Sequence, residues 1–373
     1  MRRAVPRRIL YAFAVISIAV IALVVAMAGG GAGAGAKPAA PTAGAVYWGA
    51  YISGETYAHG GRSGWSDAPW DRRSWRRFER NAGRSVSLLH FGQPAPWQQR
   101  FDPVPLRLTR ERGAIPLVDM DTADPDLHGR RPTLQQVAAG DRDRQLRGWA
   151  RAAARYGSPF FLRLNWEMNG SWFRWGEEAA ADPAAFVAAW RRFHHIADAQ
   201  GASNVTWVWC PNVVFDESTP LRQLYPGDEY VDWTCMDGYN HGDHPTHPSG
   251  WISFAELFGP TYSQLLELAP RKPMMIAETG STEIRGGVRD PAAKAAWIRS
   301  ALRTDLPRRF PRIKAVNWFN WSILAGGAEH RWDWPIESSA AARRAFAQAI
   351  AAPYYAGNRF HRLARDRKVR PLP

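Results

Sequence analysis

Phe160-Phe161-Leu162-Arg163-Leu164-Asn165-Trp166-Glu167 and Lys272-Pro273-Met274-Met275-Ile276-Ala277-Glu278 are two apolar runs that each close on a carboxylate. Their length and composition read as buried strands. A carboxylate at the end of a buried strand is not explained by packing, because burying an unpaired charge is costly. Side chains alternate along a strand, so Arg163, Asn165 and Glu167 share one face and Trp166 points away from it, unless a bulge at the strand end brings it round.

Six further β-rich runs extend the pattern: Val46–Ile52, Val86–Phe91, Ile115–Asp119, Val205–Cys210, Cys235–Tyr239 and Ala315–Trp321. Helical stripes fall between them. One runs from Asp141 to Tyr156 and stops at Gly157-Ser158-Pro159. Asp182-Pro183 and Asp290-Pro291 each place an N-cap before a proline in the first turn. Ser253 and Glu256 match a capping box, with Gly259-Pro260 expected to interrupt that helix soon afterwards. Eight strands alternating with helices predict an α/β fold, a closed parallel (β/α)8 TIM barrel with a single catalytic domain over 45–352; an open doubly wound sheet is the lesser alternative. In such a barrel the C-terminal strand ends hold the active site. Glu167 and Glu278 close the fourth and seventh runs.

The flanks read differently. Residues 1–28 carry a positive start (Arg2, Arg3, Arg7, Arg8) and an uncharged run from Ile9 to Ala28, long enough to span a bilayer, so both a cleaved signal and an uncleaved membrane anchor fit. Either way the remainder is expected to be exported. Residues 29–44 are a Gly/Ala/Pro tether, and 353–373 read as a loosely held basic C-terminal tail. The formal charge of +14 has no basic stripe or nucleic-acid module behind it, so no nucleic-acid partner is expected, and a monomer is. Cys210, near the end of one strand, and Cys235, near the start of the next, stand at different depths in this reading, which argues against a disulfide.

Aromatic residues make up 12% of the chain, 19 of them Trp. Most are expected in the core, yet flat rings also stack on sugars. Trp172 and Trp175, in the loop after Glu167, are placed to wall a cleft. Two carboxylates among tryptophans suit hydrolysis of a glycosidic bond. No Gly-x-Ser-x-Gly elbow and no phosphate-binding glycine loop is found, and no cofactor is expected. His241, Asp243, His244 and His247 are read as a substrate-wall loop rather than a metal site.

Glu-Met-Asn-Gly-x-Trp-Phe-x-Trp-Gly at 167–176, Tyr225-Pro226-Gly227-Asp228-x-Tyr230-Val231-Asp232, Asp237-Gly238-Tyr239-Asn240, Lys272-Pro273-x-x-Ile276-Ala277-Glu278-x-Gly280 and Trp318-Phe319-Asn320-Trp321 together resemble glycoside hydrolase family 26, the endo-β-mannanases and their relatives. The resemblance runs from about residue 45 to 335. It implies a retaining endo-β-glycosidase acting on a β-linked polysaccharide, with Glu167 as general acid/base, Glu278 as nucleophile, and carboxyls roughly 5–5.5 Å apart. It further implies Tyr239 as donor to the nucleophile, Trp318 as floor under the cleaved sugar and Trp172 as leaving-group platform. His90, Arg163 and Asn165 are added as substrate contacts from their strand-end positions. Mannanases of the family usually carry His before the acid/base. Here that residue is Trp166, which opens mixed-linkage β-glucan or β-1,3-xylan beside β-mannan. A non-catalytic or transglycosylating carbohydrate-binding barrel acting on an envelope or exported polysaccharide is the alternative.

Overall fold

A computed structural model describes residues 45–57, 67–122, 133–244, 247–322 and 332–373; the signal or anchor at 1–28 and the linker at 29–44 lie outside the described residues. Eight parallel strands close a barrel: β1 (Tyr47–Ile52), β2 (Leu88–Gln93), β3 (Ile115–Met120), β4 (Phe160–Leu164), β5 (Val205–Trp209), β6 (Trp233–Asn240), β7 (Met274–Ser281) and β8 (Ile313–Asn320). Each pairs with its neighbours in chain order, and β8 returns to β1 through Tyr47↔Ala315 to Ile52↔Asn320. The expected (β/α)8 architecture is the observed one. Among the described residues no helix is long and apolar enough to cross a membrane.

The capping signals act where the sequence puts them. Asp182 accepts from the Ala185 amide at 3.0 Å and starts the helix Pro183–Ala199. Asp290 does the same for Pro291–Ser300 through Ala293. Ser253 and Glu256 form a full capping box. The helix it opens, Phe254–Leu268, runs on through Pro260 instead of stopping there. A helical proline removes one backbone bond, at about 3 kcal/mol. Here Phe254, Leu257, Phe258, Thr261, Tyr262 and Leu265 continue a single buried stripe across it, and that packing outweighs the loss.

Tryptophan is chiefly a core residue in this chain: Trp48, Trp75, Trp190, Trp207, Trp209, Trp233 and Trp318 are all fully buried. Trp318 requires a correction. It packs between Trp297 and Phe346 of the surrounding helices and donates to the Trp334 carbonyl at 2.8 Å. Strand alternation assigns the mouth to Phe319, which stacks on Tyr51, so Trp318 is not a floor for a sugar.

Two further expectations are overturned. Cys210 and Cys235 form a disulfide, with Cα atoms 4.2 Å apart. β6 begins at Trp233, two residues before the expected start, and pairs Val208↔Trp233 and Trp209↔Thr234, which brings Cys210 opposite Cys235. The basic tail is not loosely held. Tyr355 and Val369 are buried, the Val369 amide donates to Thr206 Oγ1 at 2.7 Å, and its carbonyl accepts from the Trp233 indole at 3.0 Å. Tyr47 donates to the Arg370 carbonyl at 2.8 Å. The tail thus closes the N-terminal pole of the barrel.

At the opposite pole, a buried cation fixes the segment 332–338. The Lys294 ammonium donates to the carbonyls of Asp333 and Pro335 and to Ser338 Oγ. Burial pulls its pKa down to about 8, against the pull of Asp333 and Glu283. Lys294→Met removes these three bonds while keeping the apolar stem; an unfolding titration should show a loss of about 3 kcal/mol, and an unchanged midpoint would exclude the staple. Reducing Cys210–Cys235, whose partners are 25 residues apart, should lower unfolding stability by about 3 kcal/mol. Comparing urea melts with and without reductant, with the double Cys→Ser variant as reference, checks that value.

Candidate active site

The C-terminal mouth is built around Arg163. This side chain projects from β4 into the barrel and is fully buried. Its guanidinium donates to both Asp119 oxygens at 2.6 Å, to Asp237 and to Glu278 Oε1. One cation therefore joins β3, β4, β6 and β7. Burial alone would lower the Arg163 pKa, but the three carboxylates hold it above its ordinary value. Arg163 was expected as a substrate contact. With no exposed surface it instead positions the carboxylates around it.

Glu278 reaches this guanidinium because of a bulge. β6 and β7 pair Met236↔Ile276, and then Asp237↔Glu278, leaving Ala277 over. The extra residue shifts the alternation, so Asp237 and Glu278 stand side by side above Arg163. Glu278 Oε2 accepts from the Tyr239 hydroxyl, as expected. Burial, with the Glu278 charge next, pushes the Tyr239 phenol well above its usual range, which keeps the proton available for donation. Asp237 is likewise raised by burial, with Glu278, Glu167 and Asp119 adding to it against Arg163. Asp119 goes the other way. Burial would raise it, but Arg163 and His90 together hold it low.

Glu167 arrives by a different device. β4 stops at Leu164, and Asn165 and Glu167 take left-handed φ of 46° and 53°. That backbone costs about 1–2 kcal/mol for each such residue. It is held by Asn165 N–H to the Met120 carbonyl at 2.8 Å and Glu167 N–H to the Cys210 carbonyl at 2.7 Å. The same turn brings Trp166 round, so that Arg163 lies 5.4 Å from its ring centroid. Strand alternation continued past Leu164 would have pointed Trp166 away, and the turn overrides it.

The Glu167 carboxylate accepts from Asn212 Nδ2 at 2.8 Å and from the Trp172 indole at 2.6 Å. No imidazole precedes it, and these two neutral donors orient it. Burial and the nearby Glu278 charge raise its pKa to about 7, against the pull of Asn212, Arg163 and Trp172. Carboxylate oxygens of Glu167, Asp237 and Glu278 all lie within 4.8 Å of one another. Gly170 is required here, because a Cβ would come within 2.2 Å of the Trp172 ring that lies across it.

The remaining candidates divide. Trp172 stays half-exposed beside Phe215, with ring centroids 5.7 Å apart, and walls the mouth. Trp175 is buried, stacked on Phe173, and donates to the Trp166 carbonyl at 2.7 Å, so it braces the turn rather than facing a cleft. Asn165 is also buried, its amide oxygen taking the Thr122 N–H at 2.7 Å, and it too supports the turn. His90 binds Asp119 through Nε2 at 2.6 Å. The segment after β6 forms a short hairpin, Gly242–His244 with His247–Gly250. His241 stands edge-on to Trp332, with ring centroids 4.7 Å apart, which suits the wall-loop reading.

Several residues of the site were missed. Asp119 and Asp237 lie on the inward faces of β3 and β6, and Asp237 stands two before Tyr239, so alternation signals it. Asn212 follows β5 in a loop, without such a signal. Trp334 stacks on Tyr239, with centroids 4.2 Å apart, and with Trp332 and Phe319 forms the aromatic wall beside Glu278. It lies outside every strand, and only the folded chain brings it there.

Among solved structures, the fold is similar to a GH26 beta-mannanase from Bacteroides ovatus (TM-score 0.57, 17% identity, 86% of this chain and 94% of that one). It is also similar to the catalytic domain of a Bacillus sp. JAMB-750 GH26 endo-beta-1,4-mannanase (TM-score 0.57, 19% identity, 84% and 88%). In sequence, 222 residues are 34% identical to Endoglucanase H of Acetivibrio thermocellus, spanning 58% of this chain and 23% of that protein. A further 127-residue alignment is 30% identical to mannan endo-1,4-beta-mannosidase A and B of Caldalkalibacillus mannanilyticus, spanning 32% of this chain and 21% of that protein. The chain thus matches less than a quarter of the length of these curated relatives. Residues 136–276, from the helix Thr133–Ala139 to the start of β7, match the model of Glycosyl hydrolase family 26. That match and these relatives support glycosyl hydrolase family 26 for this chain, and the solved structures share its barrel.

Proposed function

We propose that this chain is an exported retaining endo-β-glycanase that hydrolyses a β-linked polysaccharide by double displacement. One observation carries the reading: two carboxylates within 4.8 Å across the barrel mouth, one of them held near a pKa of 7. That separation fits a retaining pair, in which no water has to stand between the acid and the opposite carboxylate. Glu278 is the nucleophile. Its oxygens are aimed by Arg163 and Tyr239, and it attacks the anomeric carbon. Glu167 gives its proton to the departing glycosidic oxygen and then takes one from the water that releases the glycosyl-enzyme. Asn212 and Trp172 hold the acid in place through both steps.

The sugar is a β-mannan or a β-glucan. Similarity to mannan endo-1,4-beta-mannosidases supports the first, and similarity to Endoglucanase H supports the second. Trp166, in place of an imidazole, favours testing glucan on equal terms. A panel of mannan, mixed-linkage β-glucan and β-1,3-xylan, assayed for new reducing ends and product length, decides among them. Binding without new ends across the panel would establish a non-catalytic barrel. Products longer than the starting oligosaccharide would establish a transglycosylase.

Glu278→Ala should lose at least about a thousandfold in turnover while keeping its fold. Recovery by azide, with a glycosyl azide of inverted configuration, would identify the vacated position as the nucleophile's; wild-type rates in that variant would remove Glu278 from the mechanism. The Glu167 pKa makes two further predictions. Activity should fall as pH rises through about 7, as the acid loses its proton. Its folded pKa lies above the ordinary 4.5, so its contribution to stability is full below 4.5 and is lost as pH rises through about 7. Above pH 7, Glu167→Gln should therefore be more stable than the parent, by ~1–3 kcal/mol in unfolding titrations. A variant no more stable there than at pH 4 would show that Glu167 is not raised.

A further inference from the structure

We propose that the N-terminal pole of the barrel is a docking surface for an anionic lipid bilayer, with the catalytic mouth facing away from it. The first observation is the docked tail. Tyr355, Phe360, Leu363, Val369 and Leu372 pack against the core, while Arg359, Arg362, Arg365, Arg367 and Arg370 are exposed. Anchoring by alternate side chains turns a string of charges into a fixed basic surface. Residues 353–373 contain one acid, Asp366, against five arginines and Lys368, which is paired with Asp232 at 2.9 Å. Arg110 and Arg155 join the same surface: Arg110 donates to the His361 carbonyl at 2.9 Å, and the Arg155 carbonyl accepts from Arg365.

The second observation is where the chain enters. Val46 bridges to Tyr355, its amide donates to the Tyr354 carbonyl at 2.8 Å, and the next residue, Tyr47, holds the Arg370 carbonyl. Whatever precedes Val46 therefore leaves from the middle of the basic pole. The preceding sequence is an uncharged apolar run, 9–28, followed by the Gly/Ala/Pro stretch 29–44. Gly-rich sequence of that length, as a random coil, has an r.m.s. span of about 20–24 Å. If 9–28 lies in a bilayer, the pole stays within roughly two to three Debye lengths of the headgroups. Juxtamembrane arginines there are drawn to anionic lipid, each by about 1 kcal/mol, or about fivefold in partitioning. Glu167 and Glu278 lie at the far strand ends, so a pole held against the membrane presents the mouth outward.

The test uses the full chain, with vesicles of phosphatidylcholine alone or mixed with phosphatidylglycerol, at low and raised salt. Partitioning should rise with phosphatidylglycerol and fall with salt. The variant Arg359→Gln/Arg362→Gln/Arg367→Gln/Arg370→Gln should lose more than tenfold of the increment from anionic lipid, with binding to pure phosphatidylcholine and the unfolding midpoint unchanged. On phosphatidylglycerol vesicles, trypsin cleavage after Arg359, Arg362 and Arg367 should slow, and on phosphatidylcholine it should not. Equal partitioning on both lipids, an equal anionic increment in the variant, or no protection of the tail would overturn the proposal. So would a response of the tail to a soluble polyanion with none to vesicle charge.

Discussion

The Arg163 guanidinium sits where β3, β4, β6 and β7 converge and receives a carboxylate from each of the other three strands. A TIM barrel is ordinarily filled by layers of apolar side chains, so a buried cation here must be compensated or the mouth would not close. Three acids do more than compensate it. They tie β3, β6 and β7 to β4, and Glu278 takes its orientation from the same guanidinium and from Tyr239. Removing one member of such a set leaves a buried charge without its partner, typically at 3–5 kcal/mol. The placement of Glu278 and the integrity of the barrel mouth are thus one property.

The same network separates the two glutamates chemically. Glu278 is held by a guanidinium and a phenol, whereas among the described residues Glu167 receives an amide and an indole. Burial and the neighbouring Glu278 charge outweigh these neutral donors at Glu167, whose pKa reaches about 7. Two carboxyls of identical chemistry thus meet different donors on the strands they follow. The strained turn at Asn165 and Glu167 belongs to this division, because an unbroken β4 would carry Glu167 along the strand direction rather than across the mouth toward Glu278.

The two poles of the barrel do different work. At the C-terminal ends, Lys294 fixes the segment bearing Trp334, which stacks on Tyr239 and so touches the group that orients Glu278. At the N-terminal ends, the tail closes the barrel and gathers arginines around the entry of the chain. The carboxylate cluster and the docked tail stand at opposite ends of the strands.

Local rules carried the sequence a long way. Eight apolar runs and the caps at Asp182, Asp290 and Ser253 are short-range signals that the folded chain keeps, whereas Glu167 falls in the turn after β4 and Glu278 inside β7. Asp237 was readable too, by alternation from Tyr239. The tertiary structure alone decided matters of register and approach. The bulge at Ala277 moves Glu278 beside Asp237, and the earlier start of β6 joins Cys210 to Cys235. Trp318, expected as the floor under the cleaved sugar, is buried behind the strand, Trp334 stands beside Tyr239, and the tail docks through Val369. Each depends on which residue of a distant strand or loop stands opposite. Period and composition say which face a side chain takes along one strand, but a single extra residue reverses that face, and only closure of the barrel fixes where the extra residue falls.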